Sequence, residues 1–240
     1  SGTGPTGPVQ FFGSFTATGG SVAAATTTYG AGQYGDAGGG GAVIIGDEVA
    51  GSYSGTPGAP SAVDIGTGTY TMNGGTSNDT GGGGGGVFLI NNYDSSGTIL
   101  YGANINCAAG AGTRGGVIGG ALSLYTDEGD IVAQGTLNGN GAPGDMTNNS
   151  SRGGTYMATV GDSDVTDRGS IVSAIIANLN GGSNNGASGS GANGGTVTLS
   201  ALNPSGSVTL LAASAITSNS GAGTGIGTGG MGGITTLRTQ

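Results

Sequence analysis

Six Gly-Gly pairs, at 40–41, 85–86, 119–120, 153–154, 194–195 and 232–233, each stand directly before a short apolar run. Counting from each pair, the second following residue is Val43, Phe88, Leu122, Tyr156, Val197 and Thr235, and the fourth is Ile45, Ile90, Leu124, Ala158, Leu199 and Leu237. A spacing of two puts both positions on one face of a β-strand, pointing inward. Runs this short bury nothing alone, so their recurrence requires that they stack and share one core.

A second register follows each first run after a turn of Asp, Asn, Ser, Pro and Gly. It reads "SVAAA" at 21, "AVDIG" at 62, "TILYG" at 98, "DIVAQ" at 130, "SIVSA" at 170 and "SVTLL" at 207. Its second residue is always β-branched, giving an expected aliphatic column of Val22, Val63, Ile99, Ile131, Ile171 and Val208. A shorter third run carries Ile105, Leu137 and Ile216, with Tyr70 and Leu179 as looser counterparts. Self-similarity at a period of about 34 residues predicts an all-β fold, a parallel β-solenoid of about six coils joined by long glycine-rich tracts. The coils are expected at 9–41, 42–86, 87–120, 121–154, 155–195 and 196–233, with 234–240 opening a seventh. They form one domain, 9–240. The preceding residues 1–8 contain "GTGPTGP", two collagen-like tiles too few for a triple helix, and are expected to form an extended polyproline-like arm. A β-sandwich also accommodates several short strands with regular turns.

Composition supports order. Sixty of 240 residues are glycine, with no strict every-third period, while 34% are apolar and only 7% charged. Disordered chains are instead held open by charge. The formal charge of −9 repels phosphate backbones and anionic membranes, so nucleic acid is not an expected partner. The longest apolar run, "IVSAIIANL" at 171–179, is about half a membrane span, and the chain reads as a soluble, processed protein. The lone Cys107 can form no internal disulfide and is expected as a small buried side chain.

The unit "GGTVTLSA…GSVTLLAASAITSNSGAGTGIGTGG" resembles the glycine-rich coils of secreted parallel β-helix surface proteins, of the filamentous-haemagglutinin and pectin-lyase-like kind. The resemblance spans nearly the whole chain as a style of repeat. It implies the fold and an extracellular or cell-surface setting, and no particular activity.

The turns between first and second runs carry much of the acid: Asp47, Glu48, Asp94, Asp127, Glu128, Asp130, Asp162, Asp164 and Asp167. Stacked at about 4.8 Å per rung, such carboxylates form a solvated edge that resists side-by-side pairing. They are also candidate calcium sites, best at Asp162, Asp164 and Asp167 and next at Asp127, Glu128 and Asp130, because hard cations take several carboxylate oxygens. No cofactor other than calcium is implied. Catalysis is not expected: without histidine or lysine, most pairings of nucleophile and base are missing, leaving only Arg114, Arg152 and Arg168 beside Asp164 or Asp167. Asn78, Asn148 and Asn149 lie in glycosylation sequons.

Four functions remain in view. An ice-binding face would use threonines such as Thr26, Thr27, Thr28, Thr67, Thr69, Thr196 and Thr198, yet the outward column of the first runs, Ile44, Leu89, Ser123, Met157, Thr198 and Thr236, is no regular ladder. An adhesin or passenger module of a cell-surface or viral fibre protein would bind its ligand at a loop face. An enzyme of the lyase or glycosidase kind is the weakest of the four. The leading expectation is a structural subunit that polymerises head to tail with copies of itself. Solenoids that stay monomeric need polar caps, and the residues that would meet at an uncapped joint are Val9, Phe11, Phe12 and Phe15 at one end and Ile234 and Leu237 at the other.

Overall fold

The computed structural model describes residues 8–21, 37–46, 62–77, 81–92, 97–112, 118–144, 150–161 and 167–240. Its strands are β1 (Val9–Phe11), β2 (Phe15–Thr16), β3 (Ala42–Gly46), β4 (Val63–Ile65), β5 (Thr69–Thr71), β6 (Val87–Asn92), β7 (Ile99–Tyr101) and β8 (Asn104–Asn106). They continue as β9 (Ala121–Thr126), β10 (Ile131–Asn138), β11 (Thr155–Val160), β12 (Ile171–Asn178), β13 (Thr196–Ala201), β14 (Val208–Leu210), β15 (Ala215–Thr217) and β16 (Ile234–Thr239). All the strand pairs are parallel, in two sheets of ten and six strands. The chain is a parallel β-solenoid.

The six-stranded sheet runs β3-β6-β9-β11-β13-β16. Its register aligns Val43, Phe88, Leu122, Tyr156, Val197 and Thr235 in one column, and Ile45, Ile90, Leu124, Ala158, Leu199 and Leu237 in the next, as the Gly-Gly spacing predicts. In the other sheet Val63, Ile99, Ile131, Ile171 and Val208 align. The interior members are fully buried, and the two sheets pack these columns against each other as one core.

The first coil departs from expectation. The structure seats Val9, not Val22, on Val63, so "VQFFGSF" supplies the second and third runs rather than a first run; Val22 lies outside the described residues. Phe11 and Phe15 thereby reach the columns of Ile65 and Tyr70. A second correction concerns Leu179. The third-run column is Phe15, Tyr70, Ile105, Leu137, Ala177 and Ile216, and Leu179 lies two residues beyond it, buried beside Gly139. In β10 and β12 the second and third runs also fuse into single eight-residue strands.

Aromatic rings fill one end of the core. Tyr70 meets Phe88 edge-on at 4.8 Å, Phe88 meets Tyr101 at 5.6 Å, and Phe11 lies 5.7 Å from Tyr70, separations at which ring quadrupoles attract. Tyr156 bonds Ser173 through its hydroxyl (3.1 Å). Burial pushes the Cys107 thiol from its ordinary 9.0 up to about 12, and the Tyr156 phenol from 10.0 up to about 12. Both groups stay protonated in the fold while the unfolded chain ionises, so stability is intact below about pH 9 and falls as pH rises from there toward 12. Alkaline unfolding monitored by circular dichroism is therefore expected to begin above pH 9, and Cys107→Ala to make its onset less steep. An unchanged profile in the variant counts against this burial of the thiol.

Candidate assembly surfaces

Where each third run ends, the chain leaves the sheet, travels out along a glycine-rich arm and returns to the next Gly-Gly pair. The second glycine of every pair donates its N–H across its own coil: Gly41 to Ala17, Gly86 to Met72, Gly120 to Cys107, Gly154 to Gly139, Gly195 to Leu179 and Gly233 to Ser218, all at 2.6–2.7 Å. These bonds close each coil. At most of these pinch points a side chain is excluded, since a Cβ on Gly86, Gly120 or Gly195 would strike that of Met72, Cys107 or Leu179. A first-position Cβ on Gly40, Gly85, Gly119, Gly153 or Gly194 would strike the carbonyl of the next coil. The pairs are glycine because two backbones need the volume.

Three residues beyond the closure, outward and return arms bond again. Gly83 N–H donates to Gly75 O (2.9 Å), Ser151 to Ala142 (3.1 Å), Ala192 to Gly182 (3.0 Å) and Gly230 to Gly221 (3.1 Å). Between coils the ladder zigzags onward, from Gly75 N–H to Gly38 O, Gly110 to Gly83, Gly182 to Ser151 and Gly221 to Ala192, each at 2.8 Å. The bonds recur at every third residue, the period of a polyproline II-type helix, so the described parts of the arms form an ordered layer bonded through bare backbone. Amide ladders fix the register where strands pass into arms: Asn178 donates to Asn138 and Asn138 to Asn106, both at 2.8 Å. The layer extends the solenoid sideways and does not cover the outward strand face, where Ile44 and Met157 remain exposed.

Both end coils present core positions to solvent. At the first coil, Val9, Phe11 and Phe15 occupy inward columns yet are 37%, 41% and 36% exposed, while Phe12 lies on the outer side against Gly66. At the last, Leu237 ends the Ile45–Leu199 column and is 51% exposed, whereas Ile234 belongs to the outward column of Thr196. Sequence reasoning placed Ile216 in the third run but put neither it nor Leu210 at this surface, where they end the Phe15 and Phe11 columns. All six residues of β16 are exposed. The columns these residues end run unbroken through the molecule.

The acidic turns are only partly in view. Asp162, Asp164, Asp47, Glu48 and Asp94 lie outside the described residues, as do Asn78, Asn148, Asn149 and Arg114. Asp127 accepts a hydrogen bond from the Tyr125 hydroxyl, Asp130 accepts one from Ser170 N–H (2.8 Å), Glu128 is exposed, and Asp167 is buried at the corner beside Gly161. Among the described residues no three His, Cys, Asp or Glu side chains converge to hold a metal ion, and no helix is long and apolar enough to cross a membrane. No family model matches the chain, and comparison with curated proteins and with solved structures finds no match.

Proposed function

We propose that this chain is an extracellular structural protein, the subunit of a filament or surface layer that grows by stacking solenoid ends. The observation that supports this reading is that the outermost described strands leave members of the core columns part-exposed, Phe11 and Phe15 in β1 and β2 and Leu210 and Leu237 in β14 and β16. Open parallel edges with apolar residues behind them are templates for a further strand. A contact that joins unlike ends without closing makes a filament. The outward column, with Ile44, Leu89 and Met157 among its members, lacks the regular threonines of an ice-binding face. The extracellular setting is what the resemblance of the repeat to secreted β-helix surface proteins implies.

Six rungs per sheet column at about 4.8 Å each give a subunit about 29 Å tall along the axis. Electron microscopy of the concentrated protein is expected to show unbranched rods with that axial spacing, and sedimentation to show mass rising with concentration. A chain that stays monomeric at millimolar concentration overturns the proposal and favours an adhesin module.

A further inference from the structure

Six Asn-Gly pairs occur in the sequence, at 73–74, 138–139, 140–141, 180–181, 185–186 and 193–194, and all six lie among the described residues. Such a pair readily loses its side-chain amide, because a glycine has no Cβ to keep its nitrogen from the preceding asparagine Cγ. The attacking nitrogen must first give up its proton, so a glycine N–H held in a hydrogen bond is withheld from the reaction. In five of the pairs the fold withholds it. The N–H of Gly74 donates to Ala108 O (2.9 Å), Gly139 to Asn178 O (2.9 Å), Gly141 to Asn180 O (2.7 Å), Gly181 to Asn219 O (2.8 Å) and Gly194 to Met231 O (2.9 Å), each a bond to the following coil. The asparagine side chains are held as well. The Oδ1 of Asn73, Asn140, Asn180 and Asn193 accepts the N–H of Ala108, Asn180, Asn219 and Met231 in turn, at 2.8–2.9 Å. Asn138 sits in the amide ladder between Asn106 and Asn178.

The sixth pair, Asn185-Gly186, lies at an arm tip and is held differently. Its backbone is anchored on both sides, since Asn185 N–H donates to Gly144 O (2.6 Å) and the Gly186 carbonyl accepts from the Thr224 hydroxyl. The Asn185 side chain, however, is exposed and bonds to none of the described residues. Gly186 N–H donates to Asn184 Oδ1 (2.8 Å), two residues back within the same tip. Releasing that contact breaks no bond between coils.

We infer that Asn185 is a self-modification site, the one Asn-Gly pair that the folded chain leaves open to deamidation. The Gly186 nitrogen loses its proton to solvent base and attacks Asn185 Cγ; a C–N bond forms there, the Cγ–Nδ2 bond breaks, and the amide takes up a proton and leaves as ammonia. Water then opens the resulting succinimide ring at either carbonyl, giving aspartate or, with the backbone rerouted through the side chain, isoaspartate. Either product adds one negative charge to a chain of formal charge −9, at an exposed tip outside the strand columns. The same exchange at Asn138 would remove the Nδ2 donor to Asn106 Oδ1 and set oxygen against oxygen in the ladder. The fold directs the reaction to the pair where a carboxylate disrupts no ladder, whether or not the chain assembles.

The test ages the full chain in mildly alkaline buffer, folded in one sample and unfolded by urea in the other. Peptides from each are then weighed for the mass gain of amide-to-acid exchange. In the folded sample the peptide carrying Asn185 should convert, and each of the other five pairs should convert at least about a hundredfold more slowly, a ratio equivalent to about 2.8 kcal/mol of local opening. In urea all six should convert at similar rates, which shows that the fold and not the neighbouring sequence makes the difference. Asn185→Gln lengthens the side chain by one methylene and disfavours ring closure. Conversion at 185 should stop in that variant while its melting temperature stays at the wild-type value, because the side chain it replaces is bonded to nothing. A folded sample in which Asn185 converts no faster than the other five overturns the assignment. So does a lowered melting temperature in Asn185→Gln, which would show the side chain bound within the fold.

Discussion

Ile131→Asp is expected to prevent folding, and Val132→Asp, one residue on, to leave the fold nearly intact. Ile131 is fully buried between Ile99 and Ile171 in the aliphatic column, whereas Val132 faces out and is 38% exposed. An ionised carboxylate at 131 would have no partner and no water, a burial costing several kcal/mol and comparable with the whole stability of a domain. At 132 the same carboxylate stays solvated, with an expected loss under about 1 kcal/mol. Thermal unfolding of the two variants checks this. Equal melting temperatures would place the strand one residue out of register, since a slip of one exchanges the faces.

A second contrast separates the glycine pairs by their surroundings. Gly85→Ala forces a Cβ into the Cys107 carbonyl and the neighbouring Gly120 backbone, and neither can yield without breaking the closing bond from Gly120 to Cys107. Overpacking alone costs about 1–3 kcal/mol, and the lost closure adds to it, so a loss of about 3 kcal/mol or more is expected in denaturant unfolding. Gly232→Ala, at the same place in the repeat but with open space around it, should change stability by less than about 0.5 kcal/mol. If both variants lose stability alike, the pairs are conformational hinges and not sites of close approach.

The strand columns were legible because inward positions repeat at a fixed distance from a recognisable mark. From Val43 to Leu237 the Gly-Gly pair supplied the phase, and alternation supplied the face. Where the mark was absent, phase was lost. No Gly-Gly pair stands before "VQFFGSF", so nothing in the sequence told that it occupies the second and third runs, and "SVAAA" offered a better match by composition. Leu179 misled for a different reason. An apolar residue of the right size lay two positions from the column, and only Gly139, which leaves room for the leucine in the next coil, separates its place from that of Ala177. The three-residue period of the glycine layer was not legible, because residues without side chains carry no pattern of polar and apolar to read. The end surfaces were half legible: Val9, Phe11, Phe15 and Leu237 stood out as apolar, while Leu210 joined them only once its column was known, and Ile216 was read as a column member without being seen to end it.

The bond that closes each coil has a consequence for how such a chain can change in length. Between closure partners the arm spans residues 72–86, 107–120, 139–154, 179–195 and 218–233, yet the strands after each arm return to the same register. Because the pinch resets the path, an insertion or deletion at an arm tip is absorbed locally and never propagates into the sheets. Doubling a flexible loop costs only about 0.6 kcal/mol in closure entropy, less than one buried methylene. Sequence beyond the last arm-to-arm bond can therefore drift in length from coil to coil, or accept a grafted peptide, while the two glycines at the base of each arm keep time for the rest of the fold.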